Sequence, residues 1–173
     1  MNDDFGVLIL THGRPDKVVT ERTLRKQGYS GKIYIVCDNE DETLPQYRAR
    51  FGDNVIVFDK KSIAQQIDEG DNKQDRRSVV YARNAAFAIA REVGLKYFLE
   101  LDDDYDRFLY KFDANGAFKE RAVRNLDRLF ESMLEYYKSI PALTIAMAQN
   151  GDFQGGALGY GPGVKRKAMN TFF

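Results

Sequence analysis

Phe98-Leu99-Glu100-Leu101-Asp102-Asp103-Asp104 is the stretch that decides how this chain is read. It starts as an apolar strand and ends in carboxylates, with Asp106 close behind. In open α/β sheets, ligands bind at the carboxyl ends of the strands. Asp102 and Asp104 lie two apart, so on an extended chain they face one side. Carboxylates on one side repel unless a cation lies between them or one is protonated. A hard divalent ion such as Mg²⁺ or Mn²⁺ takes oxygen ligands, one or two carboxylates plus phosphate oxygens. The spacing therefore suits a metal holding a nucleotide diphosphate. The plain alternative is a solvated acidic turn. A calcium loop of EF-hand type does not fit, because the sixth position counted from Asp102 is Arg107 and the twelfth is Asp113.

Working outward, Phe5 to Leu10 is an apolar run that ends at Thr11-His12-Gly13-Arg14-Pro15, a pattern that suits a strand covered on both faces. Residues 16–27 read as a helix, with Asp16 as a cap and Gly28 as its end. Lys32 to Cys37 is a second strand followed by Asp38-Asn39-Glu40-Asp41-Glu42, then come a helix at 43–51 and a third strand from Asn54 to Phe58. This rhythm fits right-handed βαβ units. Residues 59–77 read as a long connection without a period. A helix follows at 77–93, with Val79, Ala82, Ala86, Ile89 and Val93 as its apolar face and Gly94 as its end. Leu95 to Leu101 is the fourth strand.

Phe112 and Phe118 flank Asp113-Ala114-Asn115-Gly116, a turn signal for a small hairpin. A helix is expected over 119–138, where Val123, Leu126, Phe130, Met133 and Tyr137 share a stripe. Leu143 to Ala148 is a fifth strand. Residues 149–163 are glycine-rich but carry neither a P-loop nor a dinucleotide fingerprint. They read as an acceptor-side loop or an ordinary connection. Lys165-Arg166-Lys167 is a small basic triplet.

Composition narrows the classes. The 173 residues carry 26 basic and 26 acidic side chains, so no overall positive field argues for a nucleic-acid-coating protein. At 43% hydrophobic residues, wholesale disorder is excluded. Cys37 is the one cysteine, which excludes an internal disulfide and a cysteine-rich zinc site. It reads as a small buried strand residue, with a catalytic pairing to His12 as the alternative. No signal-peptide pattern opens the chain and no apolar stretch approaches the roughly 20 residues of a membrane span. A soluble, cytoplasmic protein is expected.

Taken together, these elements resemble the GT-A glycosyltransferases that use nucleotide sugars. The resemblance is carried by the Leu8-to-Pro15 strand and loop, Asp38 after the second strand, Arg83-Asn84 in the following helix, and Asp102-Asp103-Asp104 as the DxD motif. Within that superfamily the Leu-Asp-Asp-Asp-Tyr form, the Thr-His-Gly-Arg-Pro loop and the Gly-Gly segment look like the phage and TET-associated glycosyltransferases, which act on modified bases in DNA. The resemblance implies a Rossmann-like GT-A fold, a mostly parallel sheet flanked by helices. It implies that Thr11, His12 and Arg14 line the base and phosphate end of the donor and that Asp38 accepts a hydrogen bond from the nucleobase. Arg83 would approach the diphosphate, Asp102 would meet the ribose or a metal-bound water, Asp104 would ligate Mn²⁺ or Mg²⁺, and Asp103 would point to the opposite face and matter less. The partners implied are a nucleotide-sugar donor and a DNA acceptor, in the host cytoplasm if the protein is phage-encoded.

The residues alone leave other roles open. His12 could serve a tight turn, Arg14 could be a loop charge, Asp38 a helix cap or a solvated acid, and Arg83 a salt-bridge partner of the Asp run. Glu100, inside the strand, faces a polar layer or a partner. GT-A enzymes continue past the DxD with an acceptor-binding half, and no Asp or Glu follows Asp152 here. The expectation is a single donor-binding domain over 1–173, truncated or split, with the general base beyond Phe173 and a second chain supplying the remainder. The functional alternatives are a nucleotidyltransferase-like enzyme using the same metal-diphosphate arrangement and a non-catalytic interaction domain.

Overall fold

The fold was analysed in a computed structural model that describes residues 3–68, 79–148 and 170–173. The glycine-rich segment, the basic triplet and Asp152 lie outside the described residues. A six-stranded sheet forms the frame. Its strands are β1 (Phe5–Leu10), β2 (Lys32–Asp38), β3 (Val55–Phe58), β4 (Tyr97–Asp102), β7 (Ile145–Met147) and β8 (Asn170–Phe172), in the order β3-β2-β1-β4-β8-β7. The first four run parallel, with Leu10 opposite both Val36 and Asp102 and with Asp38 opposite Phe58. β8 runs antiparallel to both β4 and β7. This is the mostly parallel, helix-flanked Rossmann-like α/β architecture that was expected.

Alternation along the strands sends side chains into two cores. Val7, Ile9, Ile33, Ile35, Cys37, Leu99 and Leu101 face one side, where α1 (Val19–Lys26), α2 (Leu44–Phe51) and α5 (Leu126–Ser139) pack. Leu8, Leu10, Val36 and Phe98 face the other, against α4 (Val80–Glu92) and the short α3 (Lys60–Ala64). All six residues of β1 are buried, as a strand covered on both faces requires. Burial pushes the Cys37 thiol up to about 12, so it is a core residue and no nucleophile.

Several local readings change. Residues 16–27 divide into a 3₁₀ turn, Pro15–Lys17, and α1. Asp16 does not cap α1. Its first amides, Val19 and Thr20, donate instead to the Asp103 carbonyl at 2.8 and 3.1 Å. The 59–77 connection contains α3, because the Asp59 side chain accepts the Ser62 amide and caps it. α4 buries Ala86 and Ile89 and packs Ala82 and Val93 against the same core, as expected, but Tyr81, Ala85 and Ala90 join that face and Val79 stays 44% exposed. The helix expected over 119–138 starts only at Leu126, where the Asn125 side chain accepts the Arg128 amide. Its expected first turn is strand instead: β6 (Phe118–Ala122) pairs with β5 (Leu109–Phe112) across the expected Asp113–Gly116 turn.

The base of that hairpin is fixed by one side chain. Gln27 donates to the carbonyls of Phe108 and Val123 at 2.9 and 2.5 Å and accepts the Phe108 amide at 2.7 Å. Gly28, at φ +84°, ends α1, and a Cβ there would stand 2.8 Å from the Arg124 carbonyl oxygen. Both features weld α1 to the segment that follows the acidic strand. No helix among the described residues is long and apolar enough to cross a membrane.

Candidate functional site

Because β1 to β4 run parallel, Leu10, Asp38, Phe58 and Asp102 end at one edge. Neighbours of β1 lead off in opposite directions, to β2 on one side and β4 on the other, which makes the β1–β4 junction the topological switch point. A cleft of about 380 Å³ opens there, on the α4 side, within the size range of small-molecule sites. Leu10, Thr11, His12, Arg14, Asp38, Lys60, Tyr81, Asp102 and Asp104 are among its lining residues. Six of the seven residues expected at the site therefore meet in one cleft. The seventh, Arg83, stands directly behind Asp102.

The two outer carboxylates of the triad are the open ones. Asp104 is exposed and accepts no hydrogen bond from a described residue, and Asp102 uses only Oδ1, for Arg83 at 2.9 Å. Arg83 reaches Glu100 Oε2 at 3.2 Å with its other arm. Alternation explains this, since Glu100 and Asp102 both face α4, which carries Arg83. Glu100 is 2% exposed, and its Oε1 is buried without a hydrogen-bond partner. Burial drives its carboxyl up to about 7, with Arg83 opposing the shift. Burial also raises Asp102, again against Arg83, with Asp104 and Asp103 adding to the rise.

Asp103 points the other way, as expected, but it does not matter less. It is wholly buried, and both oxygens are engaged. Arg14 donates Nε–H to Oδ2 at 2.8 Å and an Nη2 proton to Oδ1 at 2.5 Å, and the Thr11 hydroxyl donates to Oδ2 at 2.5 Å. The Tyr47 hydroxyl lies 2.8 Å from Thr11 Oγ1 and accepts the Arg14 amide at 3.0 Å. The backbone of the triad is held as firmly, since Thr20 Oγ1 donates to the Asp102 carbonyl at 2.6 Å and accepts the Tyr105 amide at 2.9 Å. The Thr11 hydroxyl thus serves the floor of the site. Arg14 is no free loop charge, and its hydrogen bonds to Asp103 raise its pKa further.

A second buried carboxylate closes the β2 end. Asp38 Oδ2 lies 2.8 Å from His12 Nδ1 and 3.3 Å from Lys60 Nζ, and Oδ1 accepts the Glu40 amide at 3.1 Å. Asp38 is therefore neither a helix cap nor a solvated acid. Behind it, Asp41 accepts from the Gly13 amide at 2.8 Å and from both Thr43 donors. Burial opposes ionisation of Asp41, but these hydrogen bonds prevail and hold its pKa below the ordinary carboxylate value. The sequence reading missed Lys60, Asp41 and Tyr47. A usable signal existed for Lys60, which sits two residues past the end of β3, on the same edge as the other strand ends.

Among the described residues no group of three or more His, Cys, Asp or Glu side chains is arranged around a common metal position. Asp104 and the unengaged Oδ2 of Asp102 still fit a hard cation that draws its remaining ligands from phosphate and water. A search of curated proteins finds no match. The family model of the TET-associated glycosyltransferases matches residues 5–173, from the first residue of β1 through the cleft and on to β8. A switch-point cleft with an acidic strand end, enclosed by a family match of this extent, leaves one assignment: the chain belongs to the TET-associated glycosyltransferase family and is a glycosyltransferase.

Proposed function

We propose that the cleft binds the nucleoside diphosphate of a nucleotide sugar with a divalent cation, Mn²⁺ or Mg²⁺, and that the sugar passes to a modified base in DNA. The observation that carries the donor reading is the pair of open carboxylates, Asp102 and Asp104, facing one cleft beside the half-exposed Arg14. A bound cation would supply Lewis-acid stabilisation of the leaving diphosphate. The protein's own residues supply position and charge. Arg83 fixes Asp102 and offsets the repulsion between Asp102 and Asp104. At the far end, Lys60 and His12 hold Asp38 in place through Oδ2, and Oδ1 retains a lone pair for a nucleobase N–H. The family match and the resemblance to enzymes of modified DNA bases support the acceptor class.

Calorimetry with Mn²⁺ and a panel of nucleotide sugars tests the donor reading. Metal-dependent binding is expected, with a loss of at least about tenfold in Asp104→Ala, the size of one charge-assisted contact. Folded protein that shows no metal-dependent binding, or an Asp104→Ala chain that binds as tightly, overturns it. For the acceptor, a DNA oligonucleotide with a hydroxyl-bearing modified base should gain the mass of one sugar residue. An unmodified oligonucleotide should gain none.

A further inference from the structure

The middle carboxylate of the triad has no access to the cleft, yet both of its oxygens are engaged. Its position is fixed twice. The Asp103 carbonyl accepts the first two amides of α1, and its side chain meets Arg14 through two hydrogen bonds and Thr11 through a third. The Arg14 side chain it holds is 48% exposed and lines the cleft beside Asp102 and Asp104.

The geometry of a guanidinium then dictates what remains. Five N–H groups lie in one plane. Asp103 takes the Nε–H and one Nη2 proton, which form one edge of that plane. The opposite edge, with both Nη1 protons and the second Nη2 proton, has no partner among the described residues. A fork held by one edge presents the other edge in a fixed orientation, and two parallel N–H groups match a phosphate.

We infer that Asp103 is a positioning residue, which clamps Arg14 by its Nε edge so that the Nη edge is presented to a diphosphate in the cleft. This rests on the donor reading above. It divides the labour of the triad, with Asp102 and Asp104 toward the cation and Asp103 toward the arginine. An arginine without the clamp would surrender rotamer freedom on binding. Asp103→Asn keeps the shape and loses the charge and one acceptor. Arg14→Lys keeps the charge and loses the fork.

The test uses inorganic pyrophosphate with Mg²⁺ as the probe and the full chain as the protein. Asp103→Asn and Arg14→Gln should each weaken binding by about 10- to 100-fold, the range for hydrogen bonds to charged groups. The double variant should be no weaker than the worse single one, because both remove one unit. In the unliganded wild-type chain, the Arg14 Nε–H resonance should be protected from solvent exchange, and that protection should vanish in Asp103→Asn. A merely structural aspartate would alter thermal stability without this pairwise coupling. Should Asp103→Asn fail to fold, Arg14→Lys decides, and a loss of about tenfold is expected. Equal binding by Arg14→Lys, multiplying effects in the double variant, or an unprotected Nε–H overturns the inference while leaving the donor reading intact. A wild-type chain that does not bind the pyrophosphate overturns the donor reading and this inference with it.

Discussion

Two groups of carboxylates at one sheet edge have opposite fates. Asp38, Asp41 and Asp103 are buried and supplied with donors, namely Lys60 and His12, the Gly13 and Thr43 amides, and Arg14 with Thr11. Asp104 is exposed and without a described donor, and Asp102 is half engaged. Adjacent residues of one triad fall on either side of this line. The difference teaches that an acidic run is not one object: its members are sorted by what the opposite face of the sheet provides. Loss of a buried acid should cost stability as well as binding, whereas loss of an open one should cost binding alone.

Asp103→Ala should show the largest effect on stability. It removes two hydrogen bonds from Arg14 and one from Thr11 and opens a void, and with hydrogen bonds to a charged group worth about 1.5–3 kcal/mol a loss of about 3–5 kcal/mol is expected. Urea unfolding at fixed pH measures it, and a loss below about 1 kcal/mol would erase the distinction between the two groups. Next comes Lys60→Met, which strips Asp38 of its buried cation. About 3 kcal/mol is expected, at the low end of that range because His12 remains. The third test sharpens the intermediate case. The Glu100 carboxyl is raised to about 7 in the fold by burial, above its unfolded value. A raised acid favours the fold while protonated, so this contribution is whole below the unfolded pKa and disappears as pH rises through about 7. In metal-free protein, wild-type stability should therefore fall by roughly 2–3 kcal/mol from pH 4.5 to 8 relative to Glu100→Gln, as urea titrations at each pH would show. The smallest change belongs to Asp104→Ala. It should move stability by no more than about 0.5 kcal/mol while weakening metal-dependent binding at least about tenfold, which calorimetry and unfolding together can separate.

The frame of the fold was legible because β1, β2 and β4 announce themselves as short apolar runs ending in polar loops. Failures came where tertiary pairing overruled local composition. Lys119 to Ala122 has the composition of a first helical turn, yet it pairs with β5, and the cap that begins the helix is Asn125. At the site, a period of two correctly separated Asp102 and Asp104 from Asp103. It could not reveal that Arg14, 89 positions away in sequence, meets Asp103. Lys60 was hidden for a similar reason: its segment shows no period, and its meaning comes from the strand end facing it. Long-range ion pairs have no local signature, so Thr11, His12, Arg14 and Asp38 were readable as site residues while the pairs that clamp them were not.

The position of β8 has a kinetic consequence. Leu99 in β4 pairs with Phe172 in β8, 73 positions later in the chain, and that late strand is an interior one between β4 and β7. The switch-point edge can assemble from residues before 103, but the sheet beyond β4 must await closure of a long loop, the kind of non-local contact that slows folding. During synthesis, the edge of β4 would stand unpaired until Phe172 has emerged. Refolding should accordingly show the packing of Phe5 and Phe130 around Phe172 as a late event.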